Sequence, residues 1–118
     1  LAGALEILHE AGVGPRNIHV SRVAGSFEIP FGCLQLIKKR KVDTVIALGC
    51  IVRGETKHDE YIAHAVAQGI MEVSLKRGVP IAFGVLTTNT LAQARARSRG
   101  TANKGREAAV AALNTALL

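Results

Sequence analysis

The chain has 118 residues, 48% of them hydrophobic and 20% charged, and fifteen Lys and Arg against nine Asp and Glu give a formal net charge of +6. That length suits one domain, and the apolar share is too high for a disordered chain. The longest apolar run, Val45–Val52, falls far short of the roughly 20 residues that a membrane-spanning helix needs, so a spanning segment is excluded.

In chain order, Leu1, Leu5, Leu8 and Gly12 fall on one helical face, and the opening LAGALEILHEAG has no cationic lead-in, so it reads as a helix rather than a signal peptide. GVGP, residues 12–15, stops it. Ile18, Val20 and Val23 alternate in part, which predicts a short strand over residues 17–23. After Pro30 a helix is expected over residues 31–40, with Leu34 and Ile37 inward. Residues 44–48 form the β-branched and aliphatic run of a strand buried on both faces. The longest helix is expected over residues 59–77, where Ile62, Val66, Gly69, Ile70 and Val73 make an apolar stripe and Gly78 is a natural stop before Val79-Pro80. Residues 80–86 predict a second buried strand. Thr87 or Thr88 is the expected cap of a helix running to Arg97, and residues 104–118 predict an Ala-rich helix with Val110, Leu113 and Leu117 aligned.

Strands alternating with helices imply an α/β sandwich, a parallel sheet covered on both faces. Right-handed crossovers put every strand-to-helix junction at one carboxyl edge, and ligands bind in the crevice beyond it. Three junctions qualify: residues 24–28, residues 49–59, and Thr87-Thr88.

The junction GCIVRGETKHDEY, residues 49–61, is the most informative. Gly49 and Gly54 permit tight turns and close backbone approach. Gly54-Glu55-Thr56 precedes a long helix, so free N–H groups and the Thr56 hydroxyl suit an anion such as phosphate, and His58 beside them suits proton transfer near pH 7. A surface loop with an incidental histidine fits the same residue types. At residues 24–28, Glu28 suits the hydroxyls of a sugar or polyol, and Phe27 suits an apolar ring face; core packing and a solvated charge are the alternatives. Arg95, Arg97, Arg99 and Lys104 crowd a Gly/Asn turn, which reads equally as an oxyanion clamp or as a solvated basic turn.

Other features point away from chemistry. Cys33 and Cys50 lack a C-x-x-C spacing and read as reduced, buried thiols, with neither a disulfide framework nor a zinc site. His9, His19 and His64 have no ligand-like spacing, so no metal is expected. The run Lys38 to Lys41 reads as a solvated helix end. Aromatic residues are 3% of the chain, which disfavours an RNA-stacking sheet. A basic nucleic-acid-binding domain remains the rival that the net charge invites.

Taken in order, GSFEIP (residues 25–30), ALGCIVRGETKHDEY (47–61), GVPIAFGVLTTNT (78–90) and NKGREAA (103–109) closely resemble the lumazine synthase family, and they span nearly the whole chain. The resemblance implies a three-layer α/β/α sandwich with a parallel, flavodoxin-like sheet. It implies condensation of 5-amino-6-(D-ribitylamino)uracil with 3,4-dihydroxy-2-butanone 4-phosphate to 6,7-dimethyl-8-ribityllumazine, phosphate and water in riboflavin biosynthesis, with no cofactor or metal. By this resemblance His58 matches the proton-transfer histidine, and Arg97 the arginine on the leaving phosphate, aided by Gly54, Glu55 and Thr56. Ser26, Phe27 and Glu28 match the segment that holds the ribityl chain, and Cys50, Ile51 and Val52 the stretch whose backbone reads the pyrimidine. Phe83 and Lys104 match contacts that a neighbouring subunit supplies. The resemblance further implies a cytoplasmic homo-oligomer, a pentamer or twelve pentamers in a shell, with riboflavin synthase as a partner and no nucleic acid or membrane.

The chain departs from that family in three places. The family begins with a further, central strand and an aromatic-bearing loop, so residues 1–118 are expected to form a single lumazine-synthase-like domain without its N-terminal strand. Asp59-Glu60 stand where an aromatic residue and an acid are usual. The turn before Asn103 is one residue short, with Ala102 for the usual Gly. A non-catalytic flavin- or lumazine-binding shell protein of the same fold is the alternative function.

Overall fold

Val45–Val52 (β1) and Ile81–Thr88 (β2) run parallel, with Val45 opposite Ile81 and Val52 opposite Thr88. In the computed structural model, which describes residues 1–54 and 57–118, they form a two-stranded sheet. The helices are α1 (Ala2–Glu10), α2 (Ile29–Lys39), α3 (His58–Arg77), α4 (Leu91–Ala96) and α5 (Lys104–Ala116). The connection from β1 through α3 to β2 is one crossover unit, so α3 and α4 both start from the carboxyl edge of the sheet.

Alternation along β1 decides the two faces. Val45, Ala47 and Ile51 point to a core shared with Ile29 and Cys33 of α2, Val66 and Ile70 of α3, and Val85 of β2. Ile46 and Leu48 point the other way, onto Ala82, Ala108 and Ala112. Helices α2 and α3 therefore cover one face and α5, backed by α1, the other. This is the expected α/β sandwich with a parallel sheet. Both strands run further than expected, β1 to Val52 and β2 to Thr88. Among the described residues, no helix is long and apolar enough to cross a membrane.

The stripe expected on α3 is correct: Val66 is fully buried, Ile70 nearly so, and Ile62 and Val73 pack beside them. Gly69 lets α2 approach, because a Cβ there would stand 2.9 Å from Pro30 Cγ. Gly78 adopts the left-handed conformation (φ 67°) and closes the helix, its N–H bonding the Ser74 carbonyl at 2.9 Å.

Four local expectations need correction. Residues 17–23 form no strand; only a short 3₁₀ turn, Pro15–Asn17, precedes them. A strand exists only where a neighbour takes its backbone groups, and these residues face β1 across a cleft of about 800 Å³ whose mixed walls include Leu5, Leu8, Val20 and Val45 beside Arg22 and Asp43. Helix α2 starts at Ile29, two residues early, with Pro30 in its first turn, where a missing N–H costs nothing. Its buried residues are Ile29 and Cys33, with Leu36 and Ile37 beside them; Leu34 is half-buried outside that core. Helix α4 is capped by Thr90, whose hydroxyl accepts from the Gln93 N–H at 3.1 Å, because Thr87 and Thr88 are still strand. Helix α5 buries Ala108, Ala109 and Ala112, leaving Val110 and Leu117 exposed. Alanine fits because β2 presents Gly84: a Cβ there would lie 3.1 Å from Ala108 Cβ, so the helix packs close to the sheet.

Candidate active site

The carboxyl edge is held together by the ends of its two strands. The Arg53 N–H donates to the Thr88 carbonyl at 2.7 Å, and the buried Thr88 hydroxyl donates to the Thr90 carbonyl at 3.0 Å. The exits of β1 and β2 are thus tied where the chain turns into α3 and α4. One residue on, the Gly54 N–H donates to Asp59 Oδ2 at 3.1 Å, joining the end of β1 to the first turn of α3. The Gly54 amide, expected to face an anion, is engaged by the protein's own carboxylate. Glu55 and Thr56 lie outside the described residues. His58 opens α3 and is exposed.

Residues 26–28 reach this edge because β1 carries a glycine opposite them. A Cβ on Gly49 would meet Ile29 Cδ1 at 2.7 Å and Ser26 Oγ at 3.2 Å, so the glycine lets these side chains pack directly on the strand. A 3₁₀ turn, Ser26–Glu28, then leads into α2, and the Ser26 hydroxyl donates to the Cys50 carbonyl at 3.3 Å. Phe27 and Glu28 face solvent.

The basic turn reaches the edge from the opposite face. Arg97 caps the C-terminus of α4, and its guanidinium approaches the Thr87 carbonyl at 3.5 Å. The Lys104 N–H donates to the Arg97 carbonyl at 2.7 Å. Asn103 organises the turn between them: its side chain donates to the Ser98 carbonyl at 2.9 Å and accepts from the Arg106 N–H at 3.1 Å. A cavity of about 400 Å³ opens beside it, lined by Leu48, Cys50, Leu86, Arg95, Arg97 and Lys104. Arg99 is not among its walls.

The structure therefore brings Cys50, Arg97 and Lys104 to one cavity and bonds Ser26 to Cys50. Ile51 sends its side chain into the core, while Val52 is exposed at the strand end. Phe83 stands apart. It pairs with Ala47 near the start of β2, five residues before the end of that strand and so about 16 Å from it, with half its surface exposed. Cys33 is buried as expected, whereas Cys50 is exposed, since it stands on the cavity wall. Three residues with structural roles at the edge were not read from the sequence: Asp59, Thr90 and Asn103. Two carried a signal: Thr90 the Thr-x-x-Gln spacing of a helix start, and Asn103 the cap residue type directly before the helix expected from residue 104.

The chain matches the family model described as 6,7-dimethyl-8-ribityllumazine synthase over residues 1–118. The 6,7-dimethyl-8-ribityllumazine synthase of Parabacteroides distasonis is 48% identical over 114 residues, which are 96% of this chain and 71% of that one. Its counterpart in Porphyromonas gingivalis is 47% identical over 117 residues, 98% of this chain and 73% of that one. The Phocaeicola vulgatus protein is 45% identical over 114 residues, 96% and 68% respectively. With the family model matched from end to end, relatives 45–48% identical over nearly the whole chain and an α/β architecture, the chain belongs to the 6,7-dimethyl-8-ribityllumazine synthase family, an enzyme family of riboflavin biosynthesis.

Proposed function

We propose that this chain condenses 5-amino-6-(D-ribitylamino)uracil with 3,4-dihydroxy-2-butanone 4-phosphate at the carboxyl edge of its sheet, giving 6,7-dimethyl-8-ribityllumazine, phosphate and water. The observation that carries this placement is the cavity shared by Cys50, Arg97 and Lys104, with Ser26 hydrogen-bonded to the Cys50 carbonyl. In this reading the backbone of Cys50, Ile51 and Val52 holds the pyrimidine, and Ser26, Phe27 and Glu28 hold the ribityl chain. Arg97 grips the phosphate, with Gly54, Glu55 and Thr56 nearby. The pyrimidine amine attacks the ketone and one water leaves as the C=N bond forms; phosphate then departs by elimination, and the ribitylamino nitrogen closes the ring on the carbonyl that results, with loss of a second water. His58 moves the protons for these steps. Each bond is made by an amine and each leaving group departs as water or phosphate, so the reaction asks for no metal or cofactor. Most of the rate comes from holding two substrates in register.

The same reading makes the protein a cytoplasmic homo-oligomer, a pentamer or twelve pentamers, with riboflavin synthase as a partner. Phe83 supports this reading: its ring is half exposed near the start of β2, five residues from the carboxyl end, so it would serve a neighbouring subunit's site rather than its own, and Lys104 is the second residue assigned to that role. Residues 1–118 are read as one domain whose sheet takes a further strand along the free edge of β1. The cleft of about 800 Å³ between β1 and residues 17–23 supports this.

The test is an assay with both substrates, following lumazine absorbance, alongside light scattering for particle mass. Turnover is expected, and His58→Ala should lower kcat about a hundredfold with the particle mass unchanged. A protein that binds lumazine and forms none would replace this reading with the non-catalytic shell protein. Full turnover by His58→Ala would remove the proton-transfer role.

A further inference from the structure

We infer that Asp59 is a positioning residue for this reaction: its carboxylate fixes the exit of β1 against the first turn of α3 and so sets the place from which His58 works. The inference rests on the proposed role of His58. Among the described residues only Asp59 and Thr88 are buried polar or charged side chains; the Thr88 hydroxyl is spent on the Thr90 carbonyl, which leaves the Asp59 carboxylate as the buried side chain that meets an amide at the end of β1. Thr88 receives the Arg53 N–H through its carbonyl at 2.7 Å, and Asp59 receives the Gly54 N–H through Oδ2 at 3.1 Å. Successive amides at the end of β1 are therefore anchored to two different elements, β2 on one side and α3 on the other. Asp59 follows His58 directly in the chain, so the backbone that carries the histidine is tied to the sheet through this carboxylate.

The residue type suits the task. A carboxylate in the first turn of a helix lies at the positive end of the macrodipole, and a charged acceptor makes a shorter, stronger bond to an N–H than a neutral one. Gly54 is itself exposed, so water can replace the carboxylate at its amide if Asp59 is removed. Loss of Asp59 should then cost geometry more than stability.

Three variants test this beside His58→Ala in the full chain, with both substrates. D59A should lower kcat about ten- to a hundredfold, the cost of an ångström-scale misplacement, while particle mass and melting temperature are kept. Its KM for both substrates should stay within about threefold, because binding groups are untouched. D59N, whose amide oxygen still accepts from Gly54, should recover most of the lost kcat. D59E keeps the charge but moves the oxygen by one methylene, and should be as slow as D59A. D59N as slow as D59A, or D59E as fast as the parent chain, overturns the inference, and this pair decides it even if D59A does not fold. If His58→Ala is slow while D59A is not, the positioning role fails alone; if His58→Ala keeps full kcat, the role of His58 fails and this inference falls with it.

Discussion

The Lys104 N–H donates to the Arg97 carbonyl at 2.7 Å, so the backbones of two cationic residues seven apart in the chain are held as neighbours. The spacing of their Cα positions is set this way, whereas the charged end of Lys104 pairs with Glu107 at 3.0 Å. That spacing comes from the end of α4 meeting the start of α5, with Asn103 bracing the turn.

From that geometry Arg97→Ala should raise KM for 3,4-dihydroxy-2-butanone 4-phosphate about ten- to a hundredfold, the loss of a charge-assisted contact, with KM for the pyrimidine little changed. Arg99→Ala should behave as the parent, since Arg99 does not line the cavity. Arg95 does line it. Steady-state kinetics on the three variants decides the matter: a larger effect from Arg95→Ala would move the phosphate contact to that residue.

Packing between α5 and the sheet rests on missing atoms. A Cβ on Gly84 would stand 2.7 Å from Leu48 Cδ2, 3.0 Å from the Ala47 carbonyl oxygen and 3.1 Å from Ala108 Cβ. Leu48 can turn aside, but the carbonyl is part of β1 and cannot. Gly84→Ala should therefore cost about 1–3 kcal/mol, read from urea unfolding at one fixed protomer concentration. Gly14→Ala is the control, with open space around it, and should shift stability by no more than about 0.5 kcal/mol. Equal midpoints for the two variants would refute the close-packing account.

The two thiols should behave differently. Burial in the core pushes the Cys33 thiol up to about 11 from an ordinary value of about 9, whereas Cys50 is exposed on the cavity wall. A thiol reagent at pH 8 should modify one cysteine in the native protein and both in denaturant, with Cys50→Ser abolishing the native reaction. The linkage has a definite sign. The unfolded chain releases the Cys33 proton near pH 9 and the folded chain only near 11, so the folded state binds more protons between them. Stability from this thiol is full below pH 9 and is lost as pH rises through 11. Cys33→Ala should flatten the fall in unfolding midpoint across that window; an unchanged slope would assign it to other groups.

Features written within one turn of helix or one stretch of strand were legible before any fold was known. The runs over residues 44–48 and 80–86 are apolar and rich in β-branched residues, the α3 stripe repeats at helical spacing, and Gly78 has the freedom to end that helix. The junction motifs, read in order, were enough to indicate the family, because their residues act through local backbone and short spacing. Tertiary structure decided whatever depends on a partner distant along the chain. Residues 17–23 alternate like a strand yet form none, since a strand is defined by the neighbour that takes its hydrogen bonds. Helix α5 buries alanines rather than Val110 and Leu117, because Gly84 on β2 leaves room for close approach and not for bulk. Asp59 looked like one more charge at a helix start. It became a buried anchor only when folding brought the Gly54 amide to it, and no spacing rule places a carboxylate on an amide across a turn.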